Sequence, residues 1–329
     1  GDFPLNTDRV TSRGITESES GMWQPLASWT YRSAIEWQVA AGATPIEGDV
    51  SATWQGRLGA ASRGQSAGWD IALLRTPVSE SLLSWTGAKG YADVDGSRVI
   101  FPFTWGRVTR NGVETSGYTR ASDDWTLSGS LRVASYRGKN VPDNTGGQFY
   151  GLAERHVGDS ASGSWSAGPY IYLAAFEDNL GKFTPGHGGY FSPSWLVGSG
   201  LASRFRAQSS ASAWYFEARA SAGYQRHKED AADLIPDSGL EQQFLAATGL
   251  QASDLGSYGS NNEAGFAGSL ELEGLRRIGQ TRWHWGGYLR GRVSPEFDNY
   301  AAMLVLRFGS DAQHHEIRRQ FSEPFRLID

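Results

Sequence analysis

Asn299-Tyr300-Ala301-Ala302-Met303-Leu304-Val305-Leu306-Arg307-Phe308 is the stretch that decides the fold. One parity carries Tyr300, Ala302, Leu304, Leu306 and Phe308; the other carries Asn299, Ala301, Met303, Val305 and Arg307. Successive side chains of a strand point to opposite faces. One face is therefore apolar with a ring at each end, and the other is mixed and ends in a charge. Tyr300 and Phe308 are separated by about 26 Å of strand at roughly 3.3 Å per residue. A tilted strand of that length crosses the apolar band of a bilayer with a ring at each interface. A sandwich strand with one buried face has the same pattern, so repetition along the chain has to decide.

The pattern recurs. Trp125, Leu127, Gly129, Leu131 and Val133 alternate with Thr126, Ser128, Ser130 and Arg132. Trp165, Ala167, Pro169, Ile171, Leu173 and Ala175 alternate with Ser164, Ser166, Tyr170 and Tyr172. Trp214, Phe216, Ala218, Ala220, Ala222 and Tyr224 face away from Tyr215, Glu217, Arg219, Ser221 and Gln225. Phe266, Leu270 and Leu272 oppose Ser269, Glu271 and Glu273, while Trp283, Trp285, Leu289 and Val293 oppose Arg282, His284, Arg290 and Arg292. Ile35, Trp37 and Val39 oppose Glu36 and Gln38; Val50, Ala52, Trp54 and Leu58 oppose Ser51, Thr53, Gln55 and Arg57. Aromatics sit at or near the ends of the apolar faces. Soluble sandwiches seldom place so many Trp at strand ends with charges on the opposite face.

The 329 residues suffice for one large barrel or two soluble domains. No run approaches the ~18 apolar residues of a membrane helix. The mean hydropathy of −0.43 suits a barrel, in which only every second strand residue meets lipid. The net charge of −5 argues against nucleic acid as a partner. The absence of Cys is weak support for an envelope protein that avoids stray disulfides. No secretory signal opens the chain, so Gly1 reads as an internal cut in a longer precursor.

The expected fold is all-β: a transmembrane antiparallel β-barrel of about 16 strands over residues 24–308, wide enough for an aqueous lumen. Residues 1–23 read as a linker from an upstream periplasmic region and residues 309–329 as a periplasmic tail. Turn chemistry is expected at Asn111-Gly112, Asp95-Gly96 and 159–163. If the last strand ends on the periplasmic side, alternation places connections 294–298, 229–262, 177–192 and 137–147 outside. It places 276–281, 203–212 and 158–163 inside. The longest connections fall outside, as this architecture requires. In the tail, residues 311–320 suit a short helix, acidic first and basic last, stopped by Pro324.

Nothing in the motifs asks for catalysis. None of His156, His187, His227, His284, His314 and His315 lies in a nucleophile elbow or a His-x-x-x-His spacing. Gly163-Ser164-Trp165-Ser166-Ala167 approximates the elbow only on a predicted strand. No cofactor, metal site or catalytic residue is expected. The run Gly186-His187-Gly188-Gly189 lacks the following helix that phosphate cradling needs. It reads instead as a tight loop at the pore, with Gly supplying positive φ.

Three stretches go beyond periodicity: Pro77-Val78-Ser79-Glu80-Ser81-Leu82-Leu83-Ser84-Trp85-Thr86-Gly87; Gly138-Lys139-Asn140-Val141-Pro142-Asp143-Asn144; and Asn179-Leu180-Gly181-Lys182-Phe183-Thr184-Pro185-Gly186-His187-Gly188-Gly189-Tyr190-Phe191-Ser192-Pro193. In this order they resemble the C-terminal domain of the cellulose synthase operon protein C family, bacterial outer-membrane exopolysaccharide exporters. The exporter of the Pel polysaccharide has a similar layout, with periplasmic tetratricopeptide repeats before a barrel. The resemblance implies a 16-stranded outer-membrane pore without catalysis. Its partners would be an exopolysaccharide chain, outer-membrane lipid, the periplasmic repeat domain and other secretion-complex subunits. A diffusion porin and an outer-membrane hydrolase are the alternatives. The pore-lining residues expected are Arg132, Tyr170, Tyr172, Tyr215, Glu217, Arg219, Glu271, Glu273, Arg282, Arg290 and Arg292. His187, Tyr190 and Phe191 are expected in a loop that narrows the mouth. The tyrosines are candidates for stacking on sugar rings, where loose contact lets a polymer slide.

Overall fold

A computed structural model describes residues 4–15, 23–160, 163–209, 214–279, 281–295 and 298–308. The expected tail helix lies outside these residues. In chain order the first elements are β1 (Val10–Ile15), β2 (Leu26–Tyr31), β3 (Glu36–Ala43), β4 (Trp54–Arg63), β5 (Ala67–Pro77), α1 (Leu82–Thr86), β6 (Ala88–Val94) and β7 (Ser97–Arg120). They are followed by β8 (Trp125–Lys139), β9 (Val141–Ser160), β10 (Gly163–Phe176), β11 (Trp195–Gln208) and β12 (Trp214–Glu229). The remainder comprises β13 (Ala232–Asp233), α2 (Ser238–Thr248), β14 (Ser257–Tyr258), β15 (Asn261–Arg277), β16 (Trp283–Val293) and β17 (Asp298–Phe308).

The main sheet runs β17-β16-β15-β12-β11-β10-β9-β8-β7-β5-β4-β3-β2, and β6 and β1 branch from the first half of β7. Every pairing is antiparallel. Among the described residues no pairing joins β2 to β17.

Alternation makes this sheet inside-out relative to a soluble one. Leu304, Leu306, Leu131 and Ile171 are 91%, 66%, 45% and 42% exposed, while Arg132, Glu217 and Arg290 of the other parity are 7%, 3% and 6% exposed. Charged residues are almost never this buried, nor apolar ones this uniformly exposed, in a water-soluble domain. The sheet curls its polar face inward and offers its apolar face to an apolar medium, as barrel walls in membranes do. Rings gather at both edges of the apolar face. Trp37, Trp69, Tyr118, Trp125, Trp165 and Trp283 lie toward the short-turn edge, and Trp54, Tyr224, Phe266 and Tyr300 toward the opposite edge, all exposed.

The long connections, residues 44–53, 78–87, 177–194 and 230–260, all emerge at one end, together with the β6–β7 hairpin. Several elements there build a lid. The lid core consists of Ala88, Ala92 and Val94 of β6, Phe101, Phe103 and Trp105 of β7, Leu83 of α1, and Leu234, Ile235, Leu240, Phe244 and Leu250 from the β12–β15 connection. Helix α2 is legible in hindsight. Asp237 caps it by accepting from Leu240 N, Gly249 ends it in the left-handed conformation, and buried Leu240, Phe244 and Thr248 recur every fourth residue.

Three expectations are corrected. Asn111-Gly112 is no turn: it sits inside β7, laddered to β5 and β8 on either side. Two-sided pairing overrides its turn propensity, and a Cβ at 112 would meet Val133 O at 2.2 Å. Residues 50–53 precede β4 rather than extend it. The Arg107 guanidinium draws the 44–53 connection across the mouth, donating to Thr44 Oγ1 at 3.0 Å, Pro45 O at 2.6 Å and Glu47 O at 2.8 Å. Arg204 and Arg206, expected within a connection, lie in β11, where ladders to β10 and β12 hold the strand. The expected linker is ordered where described: β1 pairs with β6, and Arg9 forks onto Asp95 at 2.7 Å on the lid.

Candidate functional site

The inner face of the sheet and the segments folded into its mouth form one site. On the wall, charges pair across the strands. Arg57 meets Asp70 at 3.0 Å and Arg132 meets Glu114 at 3.1 Å on adjacent strands, and Arg204 of β11 reaches over β10 to Glu154 of β9 at 2.8 Å. Glu217 takes Arg206 at 3.1 Å and Arg219 at 2.6 Å, and Tyr215 donates its hydroxyl to the same carboxylate. Glu271 lies 3.8 Å from both Arg219 and Arg290. Direct cross-strand neighbours include the like pairs Glu217–Glu273 and Arg204–Arg219, which diagonal partners of opposite sign offset. Buried charges persist only when compensated in this way. The result is a lining in which charges of opposite sign lie close together.

The mouth is plugged. Residues 177–194 leave β10, turn inward and return to β11. Gly186 and Gly189 have φ of 90° and 65°, the positive values expected of this loop. Tyr190, 1% exposed, stacks on Tyr136 with centroids 5.1 Å apart and planes 11° from parallel. It also packs against Phe176 and accepts from Asn144 Nδ2 at 3.0 Å. Tyr136 and Phe176 share the parity of Arg132 and Tyr172, so the plug lies on the inner face. From the opposite side the α1 segment meets it. Ser81 Oγ donates to Gly189 O at 2.7 Å, and Glu80 accepts from Phe191 N at 2.6 Å.

Plug and lid meet along a polar seam. Asn179 Nδ2 donates to Asp230 O at 2.9 Å, Thr184 Oγ1 to Leu234 O at 2.7 Å, and Lys182 pairs with Glu229 at 2.8 Å. His187, fully buried, lies 2.9 Å from Asp233 O through Nε2 and edge-on to Tyr258, and its Nδ1 has no partner. Because a carbonyl can only accept, Nε2 carries the proton. Burial, with a smaller contribution from Lys182, pushes the His187 pKa down to about 4.

The sequence-predicted residues divide. Arg132, Glu217, Arg219, Glu271, Glu273, Arg290, Arg292 and Tyr170 take the inner parity of the wall. Tyr172 and Tyr215 share that parity, but at 8% and 5% exposure they are packed under neighbours rather than open on the inner face. Arg282 is not on the wall; it lies exposed in the β15–β16 turn. His187, Tyr190 and Phe191 are together in the plug, with Phe191 edge-on to His227. Sequence reading missed Glu80, Ser81, Tyr136, Asn144 and Tyr150. Strand parity marks Tyr136 and Tyr150, whereas the contact between the α1 segment and the plug joins residues over 100 positions apart and leaves no local signal.

Among the described residues no cluster of His, Asp and Glu could hold a metal ion. The model of the family described as "Cellulose synthase operon protein C C-terminus" matches residues 6–311. The chain belongs to this family. It is 28% identical over 265 residues to cellulose synthase operon protein C of Xanthomonas axonopodis pv. citri (strain 306), covering 75% of this chain and 16% of that protein. It is 27% identical over 241 residues to the protein of the same name from Pseudomonas fluorescens (strain SBW25), covering 71% of this chain and 17% of that protein. The chain thus spans about a sixth of the length of these relatives. Among solved structures, one described as a bacterial polysaccharide outer membrane secretin superposes with a TM-score of 0.50 at 12% identity, covering 85% of this chain and 77% of that one. At that identity the likeness speaks to fold, and it agrees with the antiparallel membrane-type sheet.

Proposed function

We propose that this domain is an outer-membrane pore through which a nascent exopolysaccharide leaves the cell during matrix secretion, without catalysis by the domain. The observation that carries the reading is the inward-turned, ion-paired face of the sheet beneath a folded plug. A diffusion porin for small solutes has no use for a plug with its own aromatic core, and a hydrolase would need a nucleophile and base that converge. Membership of the cellulose synthase operon protein C family, together with a fold like that of an outer membrane polysaccharide secretin, supports export and an outer-membrane location. The near-neutral wall favours a neutral, cellulose-like polymer over a cationic, Pel-like amino-sugar polymer. Cationic sugars would call for an excess of acid, yet the paired carboxylates of the wall are already matched by arginines. The long-connection end is read as extracellular, and the short-turn end faces the periplasmic repeat domain and the other subunits of the machine.

Deleting the domain in the native host and analysing the surface glycans tests this. Loss of one neutral glucan, restored by the wild-type gene, is expected. Undiminished surface glycan, or loss of small-solute uptake alone, would defeat the reading.

A further inference from the structure

We infer that the outward face of the wall carries two binding sites for the phosphate groups of outer-leaflet glycolipids, one at Arg75 and one at Arg226. The inference rests on the outer-membrane reading above and names a lipid partner for it.

The first site sits where the apolar face ends. Val39, Leu58, Leu73, Val113 and Val133 form one laddered, exposed row across β3, β4, β5, β7 and β8. Two residues nearer the long-connection end, the next outward row reads Ala41, Gly56, Arg75, Asn111 and Ser135. Apolar side chains thus give way to polar ones within about 7 Å of strand, which marks the headgroup boundary. Arg75 is fixed at that boundary by neutral acceptors. Its Nε donates to Trp54 O at 3.1 Å, Nη1 to Asn111 Oδ1 at 2.6 Å and Nη2 to Thr53 Oγ1 at 3.3 Å. The guanidinium carbon lies 4.8 Å from the centre of the Trp54 ring. That ring folds back over Gly56, the ladder partner of Arg75, where a Cβ would lie 3.5 Å from Trp54 Cζ3. A guanidinium has five N–H groups, so one on each terminal nitrogen is left over. Such a fork matches two oxygens of a phosphate.

The second site repeats this chemistry on another flank of the sheet. Arg226 of β12 is exposed, donates from Nε to Asn262 Oδ1 at 3.1 Å and lies 5.9 Å from the centre of the Trp195 ring. Tyr224 and Phe266, paired with each other and exposed, end the apolar face beside it. Among the described residues neither Arg75 nor Arg226 has a carboxylate partner. Arg137 and Lys228, at the same end of the wall, pair with Asp143 at 3.0 Å and Asp230 at 2.6 Å.

A cation at the edge of hydrocarbon is poorly solvated and calls for a counter-charge. A lipid phosphate brings one at the right depth, because its acyl chains lie along Leu58, Leu73 and Val113 while its headgroup stands one row above. A free anion gains nothing from that apolar bed. Asn111, Ser135 and Asn262 offer polar groups to the hydroxyls of a sugar-based headgroup.

The test is native mass spectrometry of the detergent-solubilised protein with diphosphorylated lipid A or with the same lipid after phosphatase treatment. The wild type should retain up to two diphosphorylated molecules, roughly tenfold more tightly than the dephosphorylated lipid. Arg75→Gln and Arg226→Gln should each lose one bound lipid, and the double variant should no longer distinguish the two lipids. Arg137→Gln, which removes a cation already paired, should leave both lipids bound. Heat-modifiable migration on gels confirms that each variant is assembled, and the wild-type comparison decides on its own if one is not. Equal retention of the two lipids by the wild type, undiminished retention in the double variant, or displacement by millimolar inorganic phosphate overturns the inference. The export reading is tested separately by glucan secretion in cells, so lipid binding can fail while export stands.

Discussion

Replacing Tyr190 by alanine should open the pore without dismantling the wall. The ring is 1% exposed, stacked on Tyr136, tilted against Phe176 and hydrogen-bonded to Asn144. Removing a fully buried aromatic costs about 3–5 kcal/mol through lost transfer energy and the cavity left behind. The cost falls almost wholly on the closed plug, because Tyr136, Phe176 and Asn144 stay on strands laddered on both sides. At about 1.4 kcal/mol per factor of ten, the open-to-closed ratio should rise by roughly a hundredfold to a few thousandfold. In planar bilayers this should appear as longer and more frequent openings, and in cells as sensitivity to large hydrophilic antibiotics. Tyr190→Phe keeps both ring contacts and loses only the Asn144 bond, worth about 0.5–1.5 kcal/mol, so its openings should increase far less. If Tyr190→Ala conducts like the wild type while remaining correctly assembled, the plug does not hold the pore shut and the reasoning fails.

Four further outcomes follow from the same geometry. Glu217→Gln leaves Arg206 and Arg219 without their closest carboxylate; it should destabilise the wall by about 3–5 kcal/mol and shift reversal potentials toward anion selectivity. Leu304→Arg, placed on the most exposed apolar position of β17, should cost about 2–4 kcal/mol in refolding into bilayers. Ser81→Ala removes a hydroxyl that bonds both Ser84 and Gly189 across the plug, and should raise channel activity modestly; silent traces would argue against the α1 contact as a latch. Finally, His187 titrates lower in the closed plug than when released, so closure is fully supported above its free value near 6.5 and weakens as pH falls toward about 4. Conductance should rise across that acidic window, and His187→Gln should flatten the profile.

The wall was legible because one simple rule, alternation, governs every strand. Trp125 to Val133 and Trp214 to Tyr224 announce both their faces and their ends from sequence alone, and the long connections sort to one side by counting. Legibility stops where tertiary contacts decide. Asn111-Gly112 has turn chemistry but sits in a strand pressed between β5 and β8. Arg204 and Arg206 looked like connection residues because their strand is interrupted by small and polar side chains, yet Glu154 and Glu217 call them to the wall.

The lid was the largest omission, and its cause is physical. A membrane barrel turns its apolar residues outward, so a reader who has accepted that rule assigns Phe101, Phe103 and Trp105 to lipid. Those residues instead alternate into a soluble-type core with α2 and β6, on the half of β7 that has left the wall. The change of regime falls at a bulge. Gly106 and Arg107 both have positive φ, at 92° and 44°, and the register with β8 shifts between Gly106 and Thr109. Beyond it, the same two-residue period means the opposite thing: apolar side chains point into protein and polar ones into water. One continuous strand thus obeys membrane rules on one side of the bulge and aqueous rules on the other. That juncture, where Arg107 also gathers the 44–53 connection, is where a closed mouth can be built onto an otherwise open wall.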